Sequence, residues 1–191
     1  MPNEFGGFSG GVPSELDRLA AGGFGERKIV NSALSVQSEP PDTAEALALI
    51  GALDAHLNGL YAPENRHGLS PAALQDESVT FLVARLDGVA VGCGAVKFIN
   101  RDYAEVKRMY VTPRWRGRGV AQALLKHLER LSHQNGFGVL RLETGIHQPE
   151  AVRLYEGMGF SRCVAFGEYT EDGVSLCYEK RLAPAEESPA A

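Results

Sequence analysis

Three arginines and two glycines fall within the six residues Arg114-Trp115-Arg116-Gly117-Arg118-Gly119, a composition suited to holding phosphate. Guanidinium groups bring charge and fork-shaped donors, and glycine lets an anion approach the backbone closely. The flanking residues decide whether those donors converge. Upstream, Ala104–Val111 sets Val106, Arg108 and Tyr110 on one side and Glu105, Lys107, Met109 and Val111 on the other. That period-two alternation is a strand, and Thr112-Pro113 stops it because proline cannot donate to a ladder. Downstream, Val120, Ala121, Leu124, Leu125, Leu128 and Leu131 recur at helical spacing. A strand therefore delivers a glycine-bearing turn onto a helix N-terminus, where unpaired N–H groups and the helix dipole favour an anion. The turn fits neither GxxxxGK[ST] nor GxGxxG, which argues against a nucleotide P-loop.

The rest of the chain must supply a scaffold for that turn. Residues 1–26 are glycine-rich and weakly patterned, which predicts a flexible leader with one helical turn near 14–21; residues 183–191 predict a disordered tail. The domain between them spans 27–182. Lys28–Gln37 reads as a first strand. Pro40-Pro41-Asp42-Thr43 then opens a helix with Asp42 or Thr43 as N-cap and an apolar face of Ala46, Leu47, Leu49, Ile50, Leu53 and Leu57. A loop over Asn58–Ser70 and a short helix over Pro71–Gln75 follow. Val79–Leu86 and Val89–Phe98 flank Asp87-Gly88, a strong hairpin signal. The helix from Gly117 to about Asn135 meets Gly136 as its C′ residue. A strand over Leu140–Gly145, a helix over Gln148–Met158, and strands over Phe160–Ala165 and Val174–Lys180 complete an α/β fold with a mixed sheet.

Two segments resemble signatures of the GNAT superfamily of acyl-CoA-dependent N-acetyltransferases. Arg114-x-x-Gly117-x-Gly119 is similar to its pyrophosphate loop. Gln148-Pro-Glu-Ala-Val-Arg-Leu-Tyr-Glu-Gly-Met-Gly-Phe160 is similar to its second signature, NxxAxxLYExxGF, with Gln148 where the family usually has Asn. They stand in the family's order, one helix and one strand apart, and the resemblance covers roughly Asp76 to Leu182. It implies a GNAT-like, mostly antiparallel central sheet flanked by helices. It also implies direct acetyl transfer from acetyl-CoA, as cosubstrate, to a primary amine in a ternary complex, without a metal. On this resemblance the pyrophosphate lies over the N–H groups of Arg116, Gly117, Arg118, Gly119, Val120 and Ala121, with Arg114 and Arg116 neutralising it. The pantetheine arm runs along Met109, Tyr110 and Val111, and Gln148 occupies a position of cofactor contact. Glu105 matches a general base of several members, and Tyr155 matches the tyrosine that protonates the departing thiolate. The residues allow plainer roles as well. A base needs a raised pKa, whereas Lys107, two residues along, offers Glu105 an ion pair; Tyr155 beside Val152 and Leu154 could simply pack.

With 191 residues and a net charge of −5, one domain is expected and a general nucleic-acid binder is not. No apolar run reaches membrane-span length, and the first residues lack the pattern of a signal peptide. Cysteines 93, 163 and 177 do not form a disulfide pattern, so a cytoplasmic protein is expected. Cys93 reads as a small hydrophobe in an apolar strand, and the five histidines show no metal spacing. Trp115 is expected to cover the turn. In the resembled fold the loops Tyr61–Gly68 and Gly167–Gly173 wall the acceptor cleft. Glu168, Glu171 and Asp172 there would favour a cationic amine. The expected acceptor is a small-molecule amine. The alternatives are a peptide or protein amine, or a non-catalytic acyl-CoA-binding module, and the resemblance leaves a homodimer open.

Overall fold

The computed structural model describes residues 33–182. The leader, the start of the Lys28–Gln37 strand and the tail fall outside the described residues. Strand β1 is Leu34–Ser38, and helix α1 is Ala44–Asn58, where the Thr43 hydroxyl accepts from the Ala46 amide at 3.2 Å. Ala46, Leu49, Ile50 and Leu53 are buried, while Leu47, expected on the apolar face, is 42% exposed. It sits one residue, or about 100° of helix, past Ala46.

Strands β2 (Val79–Leu86) and β3 (Val89–Ile99) are joined by Asp87 and Gly88, both at positive φ (51° and 82°), as a two-residue hairpin requires. Strand β4 is Tyr103–Val111. Helix α2 begins at Val120 and ends at Gln134, three residues later than expected, because Gly117 and Gly119 take φ of 72° and 79° and cannot belong to a right-handed helix. Strand β5 (Val139–Gly145) and helix α3 (Pro149–Gly157) follow. The expected Phe160–Ala165 strand shrinks to β6, Ser161–Arg162, the residues that pair with β7 (Ser175–Arg181). Beyond them Val164 is 76% exposed and Gly167 turns at positive φ.

These strands form one sheet in the order β1-β2-β3-β4-β5-β7-β6. Every pairing is antiparallel except β4 with β5. Leu124, Leu125 and Leu128 of α2 pack with Val106, Leu140 and Leu142 on one side, joined by Tyr155 of α3. Ala46, Leu49, Ile50 and Leu53 of α1 pack with Phe81, Val83 and Cys93 on the other.

Strict alternation along β4 does not hold. Cys93 pairs with Tyr110 and Ala95 with Lys107, so Arg108 and Met109 together face Gly94, a β-bulge. Arg108 takes a φ of 55°, and a Cβ at Gly94 would stand 2.7 Å from the Met109 sulfur. The extra residue reverses the phase. Val106, Met109 and Val111 now pack with the α2 cluster, and Tyr110 with the α1 cluster. Arg108 leaves the alternation expected of it. Its Nε donates to the Leu69 carbonyl at 2.6 Å and its Nη1 pairs with Asp54 of α1.

Candidate active site

The turn expected to take phosphate is built as its residues suggest. Pro113–Trp115 forms one 3₁₀ turn, two left-handed glycines follow, and no side chain caps the N-terminus of α2. The first amides of a helix have no partner within it, and here no side chain takes them up, although the Arg116 amide of the turn donates to the Pro113 carbonyl at 3.3 Å. The Arg116 Nε returns to the Val111 carbonyl at 3.1 Å and the guanidinium stands over the Tyr110 ring at 6.0 Å, fixing the turn to the end of β4. Arg114 and Arg118 stack on the Trp115 ring at 5.6 and 4.8 Å. Neither lines the cleft, although Trp115 between them does.

The cleft exists because β4 and β5 part company. They share three register pairs, ending at Val106 with Leu142; beyond that point the bulge bends β4 away. Between the end of β4 and the N-terminal part of α3 lies a space of about 480 Å³. Met109, Tyr110 and Val111 form one wall, and Arg116, Gly117, Gly119, Val120 and Ala121 one end. The opposite wall includes Gln148 and Tyr155. Gln148 precedes α3, and its Oε1 accepts from the Gly145 amide and the Thr144 hydroxyl, each at 3.3 Å. The longer Gln is thus tied to its own turn, with its amide nitrogen left for a ligand.

A second, smaller chamber of about 90 Å³ adjoins the cleft, and Leu53, Met109, Gln148 and Tyr155 line both. Tyr155 is 6% exposed. Burial, and then the nearby Glu143 carboxylate, push its phenol well above the ordinary tyrosine range, so it holds its proton at neutral pH. Glu143, on β5, lines the smaller chamber. Burial raises its pKa, offset in part by the Ser175 hydroxyl and by His67 and Lys107, with Asp172 adding to the rise. This carboxyl group went unremarked in the sequence. Its only signal there is its outward phase in Leu140-Arg-Leu-Glu-Thr, which many surface strands share.

Glu105 lines neither space. Its carboxylate accepts from the Tyr169 hydroxyl at 2.6 Å and pairs with Lys107 at 2.8 Å. Lys107 also donates to Tyr169 and to the His67 carbonyl. Tyr169 is the residue of the Gly167–Gly173 loop that lines the chamber. Glu168, Glu171 and Asp172 are exposed, and Asp172 accepts from the amides of Val174 and Ser175 at 2.8 Å. The expected acidic wall therefore does not form; the carboxylates close their own loop or meet solvent. Arg66, His67, Lys107 and Arg108 line the chamber instead. The other loop is tied to the turn after β5, the Tyr61 hydroxyl accepting from the His147 amide at 2.9 Å with the two rings 5.5 Å apart.

Cys93 is not poised as a nucleophile. Burial pushes its thiol up to about 12, and it donates to the Arg108 carbonyl inside the bulge at 3.4 Å.

Comparison with known proteins bears on this geometry. The model of the acetyltransferase (GNAT) family matches residues 52–160, which include the bulged strand, the turn and α3. An Azospirillum brasilense protein named IAA acetyltransferase is 38% identical over 150 residues, covering 78% of this chain and 98% of the relative. The uncharacterized N-acetyltransferase YsnE of Bacillus subtilis is 31% identical over 140 residues, 70% of this chain and 92% of that one. A crystal structure from Klebsiella pneumoniae, assigned as an acyl-CoA N-acyltransferase, is 37% identical with a TM-score of 0.67, covering 78% of this chain and 98% of its own. The PaiA N-acetyltransferase of Thermoplasma acidophilum, solved in complex with coenzyme A, shares the fold at 21% identity and a TM-score of 0.63, over 78% of this chain and 99% of that one.

Proposed function

Because the chain belongs to the acetyltransferase (GNAT) family, we propose that it transfers an acetyl group from acetyl-CoA to the primary amine of a small molecule, directly within a ternary complex. The observation that carries the choice of acceptor is the chamber behind Met109 and Tyr155. At about 90 Å³ it is far below the roughly 300–1,000 Å³ of pockets for drug-sized ligands. Tyr61, Arg66, His67 and Gly68 of the Tyr61–Gly68 loop line it, which favours a small acceptor over a peptide chain.

The residues present suit the cosubstrate. Uncapped α2 amides and the Arg114–Arg118 charges meet a pyrophosphate, and the long cleft beside β4 accommodates an extended arm. Acetyl-CoA, when bound, supplies an acyl group already activated as a thioester. An amine arrives as an ammonium and must lose a proton before its lone pair can attack. Of the two carboxylates considered, we assign this step to Glu143, which faces the chamber with a raised pKa. Glu105, held by Lys107 and Tyr169, positions the chamber wall instead. Tyr155 stays protonated and donates its hydroxyl proton to the departing sulfur. Leu53 and Met109, at the junction of the two spaces, keep water from the reacting centre.

The test is thiol release from acetyl-CoA with a panel of small amines and peptides, read beside thermal stabilisation by coenzyme A. Release with small amines and not with peptides is expected. Turnover confined to peptides would overturn the acceptor assignment. Stabilisation without turnover on any amine would replace the enzyme with a binding module.

A further inference from the structure

The cations around the smaller chamber are not equivalent. Lys107 is spent on Glu105, and Arg108 on Asp54. Arg66 lines the same chamber, yet its guanidinium pairs with nothing among the described residues, and its Nε is buried without a hydrogen-bond partner. Buried donors are almost always satisfied, and a guanidinium cannot escape by losing its proton.

The backbone that carries Arg66 is, by contrast, pinned on every side. The Arg66 amide donates to the Pro63 carbonyl at 3.3 Å. The His67 carbonyl accepts from Lys107 at 3.3 Å, and the Leu69 carbonyl accepts from Arg108 at 2.6 Å. Gly68 lies so close to the Arg108 guanidinium that an added Cβ would be 2.8 Å from its central carbon. A held main chain thus places at the chamber a guanidinium whose buried Nε has no hydrogen-bond partner. The same space is lined by Glu143, assigned to the reacting amine, and by Tyr155, assigned to the departing sulfur.

We infer that Arg66 receives the carboxylate of the acceptor, so that the substrate is a compact aminocarboxylate, amine toward Tyr155 and carboxylate toward Arg66. The inference rests on the acetyl-transfer reading and names its substrate class. A carboxylate fits because it matches the planar guanidinium with two parallel hydrogen bonds. The phosphates of the cosubstrate do not compete for this arginine, since Arg66 lines the smaller chamber and not the long cleft. Glu143 on the amine side sets the polarity, repelling a carboxylate that entered reversed.

The experiment compares kcat/KM for a series of small amino acids with that for their amides and their decarboxylated amines, in the wild type, Arg66→Met and Arg66→Lys. The wild type is expected to prefer the free carboxylate by on the order of 100-fold or more, as sites built around a polar partner do. Arg66→Met should collapse that ratio toward one, and Arg66→Lys, which keeps charge without the fork, should retain part of it. Thermal stabilisation by coenzyme A reports that each variant is folded. Brisk turnover of amides or simple amines with no carboxylate preference would overturn the inference while leaving acetyl transfer standing. If no amine is turned over, acetyl transfer fails, and titration of amino acids onto the coenzyme A complex decides the remainder. Saturable binding lost in Arg66→Met would sustain the carboxylate site; no binding would remove it.

Discussion

Two glutamates on neighbouring strands illustrate how environment, and not residue type, sets the state of a carboxyl group. Glu105 on β4 faces Arg141 on β5 in register, while Glu143 lies two residues further along β5, past the point where the strands diverge. Glu105 is satisfied by Tyr169 and Lys107; Glu143 is half-buried with its charge only partly offset. Glu143→Gln should lower kcat by about 10²–10⁴, the range for losing a general base, and abolish the acidic limb of the kcat/KM profile. Its effect on stability has a definite sign. A carboxyl whose folded pKa is raised binds its proton more tightly in the native state. It therefore lowers stability as pH climbs from the ordinary carboxylate range through the folded pKa. Removing it should leave the Tm at neutral pH unchanged or higher. Glu105→Gln should do the reverse, losing about 3 kcal/mol in urea unfolding because Lys107 is left as an uncompensated buried charge. Full stability with vanished turnover in Glu105→Gln would exchange the two roles. The placement of Tyr155 and Arg116 along the cleft was legible because their motif spacing is local. The placement of Glu143 and Arg66 at the chamber was not, because it depends on partners, or the lack of them, contributed by segments distant in sequence.

Elements carry the next level of control, and the latch of Tyr61 to His147 is the one a single methyl group can test. A Cβ at Gly145 would lie 2.2 Å from the Tyr61 hydroxyl, the same atom that accepts from His147. Gly145→Ala must therefore displace Tyr61 and loosen the Tyr61–Gly68 loop. A stability loss of about 1–3 kcal/mol is expected, typical of overpacking. KM for the acceptor should rise several-fold while coenzyme A binding is retained, since Gly145 does not line the long cleft. An equal loss in both affinities would mean the latch holds the whole site. The secondary structure around this latch was readable from hydrophobic periodicity, turn residues and caps, because each depends on near neighbours. The bulge at Arg108–Met109 was not readable. Alternation continues through it in the sequence, and it forms because Gly94 on the partner strand leaves room for Met109 while Asp54 and Leu69 claim Arg108. The same dependence on partners shortened the Phe160–Ala165 strand to the two residues β7 can reach.

At the scale of the whole molecule, the sheet is divided where it does its work. β3 and β4 share seven register pairs, and so do β5 and β7, but β4 and β5 share three. Below the cleft the two parts are joined by the core of Val106, Leu140 and Leu142 against α2; above it they are apart. A ligand that spans from the α2 N-terminus and β4 to Gln148 on the other wall would bridge that gap. Binding the native state alone stabilises by about 2.7 kcal/mol at a ligand concentration 100 times Kd. For a domain of this size that corresponds to a Tm rise of roughly 5–10 °C. The bridging geometry predicts more than a uniform gain. Amide hydrogen exchange should slow on coenzyme A binding mainly in the upper parts of β4 and β5 and at the α2 and α3 N-termini. The β1–β2–β3 ladder, already fully paired, should change little. Protection confined to the α2 turn would show that the cosubstrate is held by its phosphates alone, and that the divided sheet opens without help from what it binds.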